Sequence, residues 1–251
     1  MPILKIQHLV KRFGGLSAIN HCNFEITENS ITSLIGPNGA GKTTMFDVIT
    51  GLSQHDSGEI YFKENPIGAL PAYKRCRLGI ARTHQAIRIF PELPALENIM
   101  LAFKSNKESL FDIFTPFKKH QKKLKEKAFE YLRMINLHEK AHETAISLSY
   151  GQQKLLEIMR AVATDADLFL LDEPAAGVNR TMLHTIINII KRLKQEGKTI
   201  VIVEHDMNFV MDLSEKVIVM DYGKEIAEGT PSEIQNNPKV LEAYLGVKHT
   251  N

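Results

Sequence analysis

One glycine-rich stretch constrains what this chain can fold into more than any other part of the sequence. It follows the apolar run Ile31–Ile35, which predicts a buried strand, and it leads into a predicted helix over 42–50. Its pattern is a glycine, four further residues and then Gly-Lys-Thr. Glycines here allow a loop whose backbone N–H groups point inward at phosphate oxygens. The residues of this phosphate loop that we expect to contact a nucleotide are Gly36, Asn38, Gly39, Ala40, Gly41, Lys42, Thr43 and Thr44.

The last residues of the phosphate loop have distinct chemical roles. Lys42 supplies a mobile positive charge for the β- and γ-phosphates, and the hydroxyl of Thr43 is suited to ligate Mg²⁺. The helix that begins here directs its unpaired N–H groups and the positive end of its dipole at the same anion. The stretch therefore predicts a site for nucleotide phosphates rather than an ordinary glycine-rich turn.

Composition sets outer limits on the function. The chain has 251 residues, 43% hydrophobic and 24% charged, which suits one large globular domain or two closely joined ones. A net charge of +2 is too small to favour a polyanionic partner, so we expect no nucleic acid. Cys22 and Cys76 match no metal or redox spacing and predict free thiols. We find no secretion-signal pattern and no apolar run of about 18 residues, so the chain could serve a membrane only through a partner.

Acidic side chains follow a second predicted strand. The apolar run Leu168–Leu171 leads into Asp172 and Glu173. Because ligands bind at the carboxyl ends of strands in open α/β sheets, these acids would lie beside the phosphate loop. Asp172 suits a Mg²⁺ contact of the Walker B kind, and Glu173 can orient or deprotonate an attacking water. Two acids also end strands by chance, but the unbroken apolar run favours the catalytic interpretation.

A histidine follows another predicted strand. Thr199–Val203 is an apolar run, and His205 comes two residues after it. A neutral imidazole at this edge could bond a γ-phosphate oxygen. A lone histidine is more often structural than catalytic, so both interpretations stay open on the residues alone.

Ser149 and Gln152 have the spacing of a capping box at the start of a helix. An ordinary capped helix is the simpler interpretation. A capped helix start is also an anion site, however, so this one and the phosphate loop could serve the same triphosphate.

Two isolated residues are ambiguous. Ile3–Leu9 and Asn23–Thr27 predict short strands, with a turn over Lys11–Leu16 between them. Phe13 in that turn could pack in the core or stack on an adenine ring, and the residue pattern favours the core. Gln85 lies in a predicted loop, where a single glutamine is usually a surface residue.

These features follow one another in a set order: the phosphate loop, Gln85, the motif Leu148–Gln152, the strand ending in Asp172-Glu173, and His205. In this order they resemble the ATPase subunit of ATP-binding cassette (ABC) transporters, over nearly the whole chain. The resemblance implies an α/β fold, with a P-loop NTPase (RecA-like) core, an antiparallel β subdomain and an inserted α-helical subdomain. We expect residues 1–90 and 160–251 to form the core, and residues 91–159 to form the helical signature subdomain.

The resemblance also implies a dimer with two ATP molecules at its interface. Each ATP would lie between the phosphate loop of one subunit and the signature motif of the other, so Ser149, Gly151 and Gln152 would act in trans. Phe13 falls where the family places its adenine-stacking aromatic, which reverses the preference for the core.

Roles in hydrolysis follow from the same resemblance. Glu173, His205 and Gln85 are implied to be the catalytic residues. Thr43, Gln85 and Asp172 are implied to hold Mg²⁺ beside ATP.

A finer resemblance is to the branched-chain amino acid importer subfamily. The strings that carry it are Phe13–Leu16, Phe90–Leu93, Tyr150–Gln153, Asp172–Asn179, Glu204–Met207, Asn237-Pro238 and Ala243–Gly246. Tyr150 and Asn179 depart from the general family but look normal for this subfamily. His84 stands where we expect phenylalanine before the loop glutamine, on the side implied to contact the membrane partner.

The subfamily resemblance implies a peripheral subunit on the cytoplasmic face of the inner membrane. Its partners would be transmembrane permease subunits, a second ATPase subunit that is identical or different, and indirectly an extracytoplasmic solute-binding protein. The segment from Gln85 to Asn98 would pass motion to the permease.

Other functions share part of this pattern. A urea or amide importer and the lipopolysaccharide exporter carry the same five motifs. A soluble ABC protein acting on DNA or the ribosome would carry tandem cassettes or long coiled coils, which this sequence lacks. A P-loop kinase or GTPase would leave Leu148–Gln152 and His205 unexplained.

Overall fold

The structure, a computed structural model, describes residues 1–103 and 117–245, so Gly246 of the predicted C-terminal string lies outside the described residues. The strands are β1 (Pro2–Phe13), β2 (Leu16–Thr27), β3 (Ile31–Ile35), β4 (Ser57–Phe62), β5 (Asn65–Pro66), β6 (Ile80–Arg82), β7 (Leu168–Asp172), β8 (Thr199–Val203), β9 (Lys216–Asp221) and β10 (Lys224–Gly229). The helices are α1 (Lys42–Thr50), α2 (Ala72–Arg77), α3 (Ala95–Phe103), α4 (Phe117–Met134), α5 (Tyr150–Ala163), α6 (Arg180–Gln195), α7 (Met207–Leu213), α8 (Pro231–Gln235) and α9 (Pro238–Leu245).

The larger sheet positions the candidate site. Its strand order is β10-β9-β3-β8-β7-β6, and every neighbouring pair is parallel except the edge pair β10-β9. All residues of β3, β7 and β8 are buried, as their continuous apolar runs predict for central strands. Because these strands are parallel, their carboxyl ends meet at one edge. The segments that follow β3, β8, β7 and β6 are therefore neighbours, and the predicted α/β fold is confirmed.

A smaller antiparallel sheet, in the order β2-β1-β4-β5, forms the N-terminal layer. Its inward side chains, such as Ile6, Phe24 and Ile60, share one apolar cluster with Phe46 of α1 and Leu34 of β3. The helix that follows the phosphate loop is thus packed between two sheets. This sheet is the predicted antiparallel part of the fold.

The first two strands are longer than their sequence pattern predicts. The turn expected over Lys11–Leu16 is only Gly14-Gly15, because Phe13 pairs with Leu16 at the end of the hairpin. The register between β1 and β2 shifts after Ile6 and again after Leu9. Such bulges break the alternation of apolar and polar residues by which a strand is recognised.

Helices cover one face of the larger sheet. Side chains of α3, α4 and α5, such as Ile99, Leu132 and Leu156, form a cluster with Phe169 of β7 and Ile190 of α6. We keep the division of the chain at residues 90/91 and 159/160 as a proposal, and note that α5 runs through the second boundary. In the described ranges, no helix has the length and apolar character needed to cross a membrane.

Candidate active site

Close packing around two glycines shapes the backbone of the phosphate loop. A Cβ atom at Gly41 would lie 2.2 Å from the carbonyl oxygen of Ala18 on β2. One at Gly36 would lie 2.0 Å from the carbonyl oxygen of Met220 on β9. Gly41 also has φ of +102°, in the left-handed region that favours glycine. The loop therefore packs closely between β2 and β9. Glycine is required at positions 36 and 41, because a side chain there would overlap a backbone carbonyl.

The ammonium group of Lys42 is turned back onto the phosphate loop. Its Nζ donates to the carbonyl oxygens of Gly36 at 2.7 Å and Pro37 at 3.0 Å, and the residue is 6% exposed. Burial lowers the pKa of Lys42, while the charges of Glu173 and Asp172 act in the opposite direction. The positive charge is thus kept in the loop by neutral carbonyl acceptors, which an anionic phosphate could replace.

The other predicted loop residues differ in accessibility. Asn38, Gly39 and Thr43 are exposed, Thr44 is half-buried and Ala40 is buried. Asn38, Gly39 and Thr43 are therefore the accessible members of this set.

Asp172 is the last residue of β7, and only 1% of it is exposed. Its Oδ2 accepts a hydrogen bond from Nη2 of Arg82 at 3.1 Å, and its backbone N–H donates to the hydroxyl of Thr83 at 3.1 Å. No described group donates to Oδ1, which is also buried. Burial raises the pKa of Asp172, and Arg82 opposes that rise. A buried carboxylate oxygen without a protein donor is chemically suited to a cation.

Three predicted catalytic residues meet at Glu173. Nε2 of Gln85 lies 3.3 Å and 3.2 Å from the two carboxylate oxygens of Glu173, and Nε2 of His205 lies 3.2 Å from Oε1. Glu173 has φ of +47°, a conformation that is rare and strained for a residue with a side chain. Strain of this kind is typical of functional sites, where surrounding contacts hold it in place. The structure therefore brings together side chains from the ends of β6, β7 and β8.

Sequence reasoning missed Glu204, which joins the loops after β7 and β8. Its Oε1 accepts from the backbone N–H of Ala175 at 2.7 Å, and its Oε2 accepts from that of His205 at 3.0 Å. Glu204 is 3% exposed; burial raises its pKa, while these backbone donors lower it. The only sequence signal for this role is a carboxylate beside the strand-end histidine.

Ser149 is the N-cap of α5 and forms the predicted capping box. Its Oγ accepts from the backbone N–H of Gln152 at 3.4 Å, and the Gln152 side chain accepts from the backbone N–H of Ser149 at 3.0 Å. Gly151 is buried, and a Cβ there would lie 2.3 Å from Sδ of Met182 on α6. Within the described part of the chain, no hydrogen bond links Ser149, Gly151 or Gln152 to the phosphate loop of the same molecule.

Phe13 is not a core residue, contrary to what the residue pattern favours. It ends β1 at the tip of the hairpin and is 53% exposed. The Lys11 ammonium lies 4.9 Å from the centroid of its ring. The apolar cluster that includes Ile6 and Leu9 of β1 does not include Phe13.

Comparison with known proteins agrees with this geometry. The family model described as ABC transporter matches residues 19–176. A nucleotide-free ATP-binding cassette from an ABC transporter superposes with a TM-score of 0.85 and 34% identity, covering 98% of this chain and all of that one. The chain therefore belongs to the ABC transporter family, as one of its ATP-hydrolysing cassettes.

The matches also define a branch of that family. A second family model, described as branched-chain amino acid ATP-binding cassette transporter, matches residues 224–250. The high-affinity branched-chain amino acid transport ATP-binding protein LivG of Salmonella typhimurium is 41% identical over 98% of both chains. A dimeric cassette in a post-hydrolysis state, bound to ADP and phosphate, has a TM-score of 0.81 and 27% identity, covering 91% of this chain and 98% of that one.

Proposed function

We propose that this chain hydrolyses ATP to drive uptake of branched-chain amino acids through a membrane transporter. The observation that carries the hydrolytic part is the meeting of Gln85, Glu173 and His205 on the sheet edge that also bears the phosphate loop. The solute is supported by the similarity to LivG, a branched-chain amino acid transport ATP-binding protein, and by the subfamily match over residues 224–250.

Glu173 is the residue that orients or deprotonates the attacking water. Its carboxylate lies at the end of β7 with His205 and Gln85 as neighbours, so it can accept a proton from a water that His205 helps to hold. Lys42 exchanges its carbonyl acceptors in the loop for the phosphates of ATP. Phe13 stacks on the adenine, for which its exposure at the hairpin tip is suited.

Mg²⁺ fits the donors at the strand ends. Asp172 offers a buried carboxylate oxygen that no described donor satisfies, and Thr43 offers an exposed hydroxyl at the start of α1. Thr43, Asp172 and the amide oxygen of Gln85 would hold the ion. An ion held there would supply positive charge to offset the negative charge that develops on the phosphate oxygens.

A second ATPase subunit, identical or different, completes each ATP site. Ser149 and Gln152 cap α5 at the surface, where an anion held by a partner could reach its N–H groups. The dimeric cassette bound to ADP and phosphate supports this arrangement. Ser149, Gly151 and Gln152 thus act on the nucleotide of the opposite subunit.

We place the chain peripherally on the cytoplasmic face of the inner membrane, bound to transmembrane permease subunits and, through them, to an extracytoplasmic solute-binding protein. The segment Gln85–Asn98 transmits motion to the permease. Its contacts with both α5 and Glu173 support this role. No nucleic acid takes part.

Purification of the trapped complex tests the proposal. Tagged Glu173→Gln is held with ATP in native membranes, extracted in mild detergent, and analysed by mass spectrometry; a Lys42→Ala variant that cannot hold ATP is the control. Co-purification of polytopic permeases with a similar ATPase and an amino acid binding protein supports the proposal. Lipopolysaccharide-export or urea-importer components would assign a different solute, and ribosomal or DNA-bound proteins without any membrane protein would contradict transport.

A further inference from the structure

Glu157 of α5 holds the segment that carries Gln85. A single carboxylate oxygen, Oε1, accepts from the backbone N–H of Arg88 at 3.0 Å and from that of His84 at 3.3 Å. Glu157 is 5% exposed, so these are buried contacts. Burial raises the pKa of Glu157, while the Arg88 donor and the charge of the fully buried Lys154 oppose that rise. The carboxylate therefore clamps the backbone on both sides of Gln85.

Further contacts tie the same segment to the helices. Nη1 of Arg160, also on α5, donates to the carbonyl oxygen of Arg88. The fully buried Asn98 of α3 bonds both backbone groups of Phe90, at 2.9 Å and 3.0 Å. By contrast, the Gln85 side chain reaches across to Glu173 of the sheet. The segment 84–90 thus contacts α3 and α5 through its backbone groups, and it contacts the carboxylate of Glu173 through the side chain of Gln85.

We propose that Glu157 is a positioning residue for ATP hydrolysis, because its clamp makes the Gln85–Glu173 contact follow the position of α5. This inference rests on the proposed roles of Gln85 and Glu173. A shift of α5 carries the backbone at residues 84 and 88 with it and changes the distance from Gln85 to Glu173. Ser149 caps the N-terminal end of α5, the helix that contains Glu157. A nucleotide held by a partner that binds this end would therefore be linked to Glu173 through α5 and Gln85.

The two backbone hydrogen bonds need an acceptor oxygen at the right reach, whereas the negative charge of Glu157 acts on the buried Lys154. Glutamine at 157 keeps a carbonyl oxygen that can accept both N–H groups. Aspartate keeps the charge but is one methylene shorter, and methionine keeps the length without an acceptor. These three substitutions therefore separate the effects of reach, of charge and of the acceptor oxygen.

The test measures kcat and KM for ATP with the purified full chain, together with hydrogen exchange of the peptide covering 83–90. We expect Glu157→Met to lower kcat by about tenfold with KM changed less than about twofold, since the phosphate loop is untouched. Glu157→Asp should also lower kcat, so the inference can still be tested if the methionine variant does not fold. Glu157→Gln should stay within about twofold of the wild type, and only the first two should speed exchange of the peptide.

A double-mutant cycle with Gln85→Ala separates this inference from the proposed function. If Glu157 acts through Gln85, adding Glu157→Met to Gln85→Ala should lower kcat by less than about twofold further. Additive losses, or a Glu157→Gln variant as slow as Glu157→Met, would overturn the inference and leave the role of Gln85 standing. A Gln85→Ala variant with wild-type kcat would overturn both.

Discussion

The guanidinium of Arg82 lies 3.1 Å from the carboxylate of Asp172, and 95% of the Arg82 side chain is buried. The same guanidinium contacts Asp47 of α1 at 2.6 Å. Arg82 thus connects Asp172, a proposed Mg²⁺ ligand, to α1, the helix that follows the phosphate loop. Arg82 is the last residue of β6 and Thr83 follows it, so both side chains that bond Asp172 come from the end of this strand.

Replacing Arg82 tests this link. Arg82→Met should lower the free energy of unfolding by on the order of 3 kcal/mol, because it leaves the buried Asp172 carboxylate without its partner. Urea unfolding measures the change. Asp47→Asn is the matched control: its carboxylate is 38% exposed, so we expect a loss below about 1 kcal/mol. Equal losses in the two variants would contradict a specific role for the Asp172 contact.

Phe13 should contribute to nucleotide affinity and not to stability. Phe13→Ala is expected to weaken ATP binding by about tenfold, since base stacking is worth about 1–3 kcal/mol. Because the ring is 53% exposed, the melting temperature should hardly change. Fluorescence titration with a labelled ATP measures the affinity, with Phe13→Tyr as a stacking control and the exposed Leu16→Ala as a neighbour control. An unchanged affinity in Phe13→Ala would exclude stacking.

Two glycines of the phosphate loop should respond differently to the same substitution. Gly41→Ala places its Cβ 2.2 Å from the Ala18 carbonyl oxygen, so we expect ATP binding to be lost and stability to fall by more than about 2 kcal/mol. Gly39→Ala meets no atom within 4 Å and carries only the strain of φ at +83°, on the order of 1 kcal/mol. Denaturation of both variants in parallel checks this order, and the reverse order would refute the packing argument.

His84 should make stability depend on pH. Burial, together with the nearby positive charges of Arg82 and Arg88, lowers the pKa of His84 from 6.5 to about 4. Below pH 6.5 the unfolded chain takes up a proton that the folded chain refuses, so the stability present above that pH is lost progressively down to about pH 4. His84→Phe removes this effect. As the pH falls from 6.5 to about 4, the free energy of unfolding of the variant should rise relative to that of the wild type by on the order of 2 kcal/mol. Parallel pH slopes in urea unfolding would contradict the shift.

Local patterns in the sequence predict the parts of this fold that are defined by neighbouring residues. β3, α1 and β8 have the bounds that their apolar runs and the glycine pattern indicate. The capping box at Ser149 is also confirmed. Each of these features depends on contacts within a few residues or on continuous burial, which a single segment can encode.

Contacts between distant segments could not be predicted in this way. Glu157 meets backbone groups about 70 residues earlier in the chain, and Arg82 meets Asp172 90 residues later. Neither residue differs in type or spacing from an ordinary surface charge, so nothing local marks it. The core position that the pattern favours for Phe13 is wrong for a related reason: the residue lies at the end of a hairpin whose pairing with β2 the pattern does not reveal.

The most direct test of the account is single-turnover hydrolysis by Glu173→Gln beside ATP binding by the same variant. We predict a fall in the hydrolysis rate on the order of 100-fold or more, because the amide cannot accept a proton from water, with ATP affinity within about threefold of the wild type. Glu204→Gln, which alters a neighbouring carboxylate that bonds only backbone groups, serves as the control for local disturbance. Hydrolysis by Glu173→Gln at the wild-type rate would remove Glu173 from catalysis and contradict the central claim.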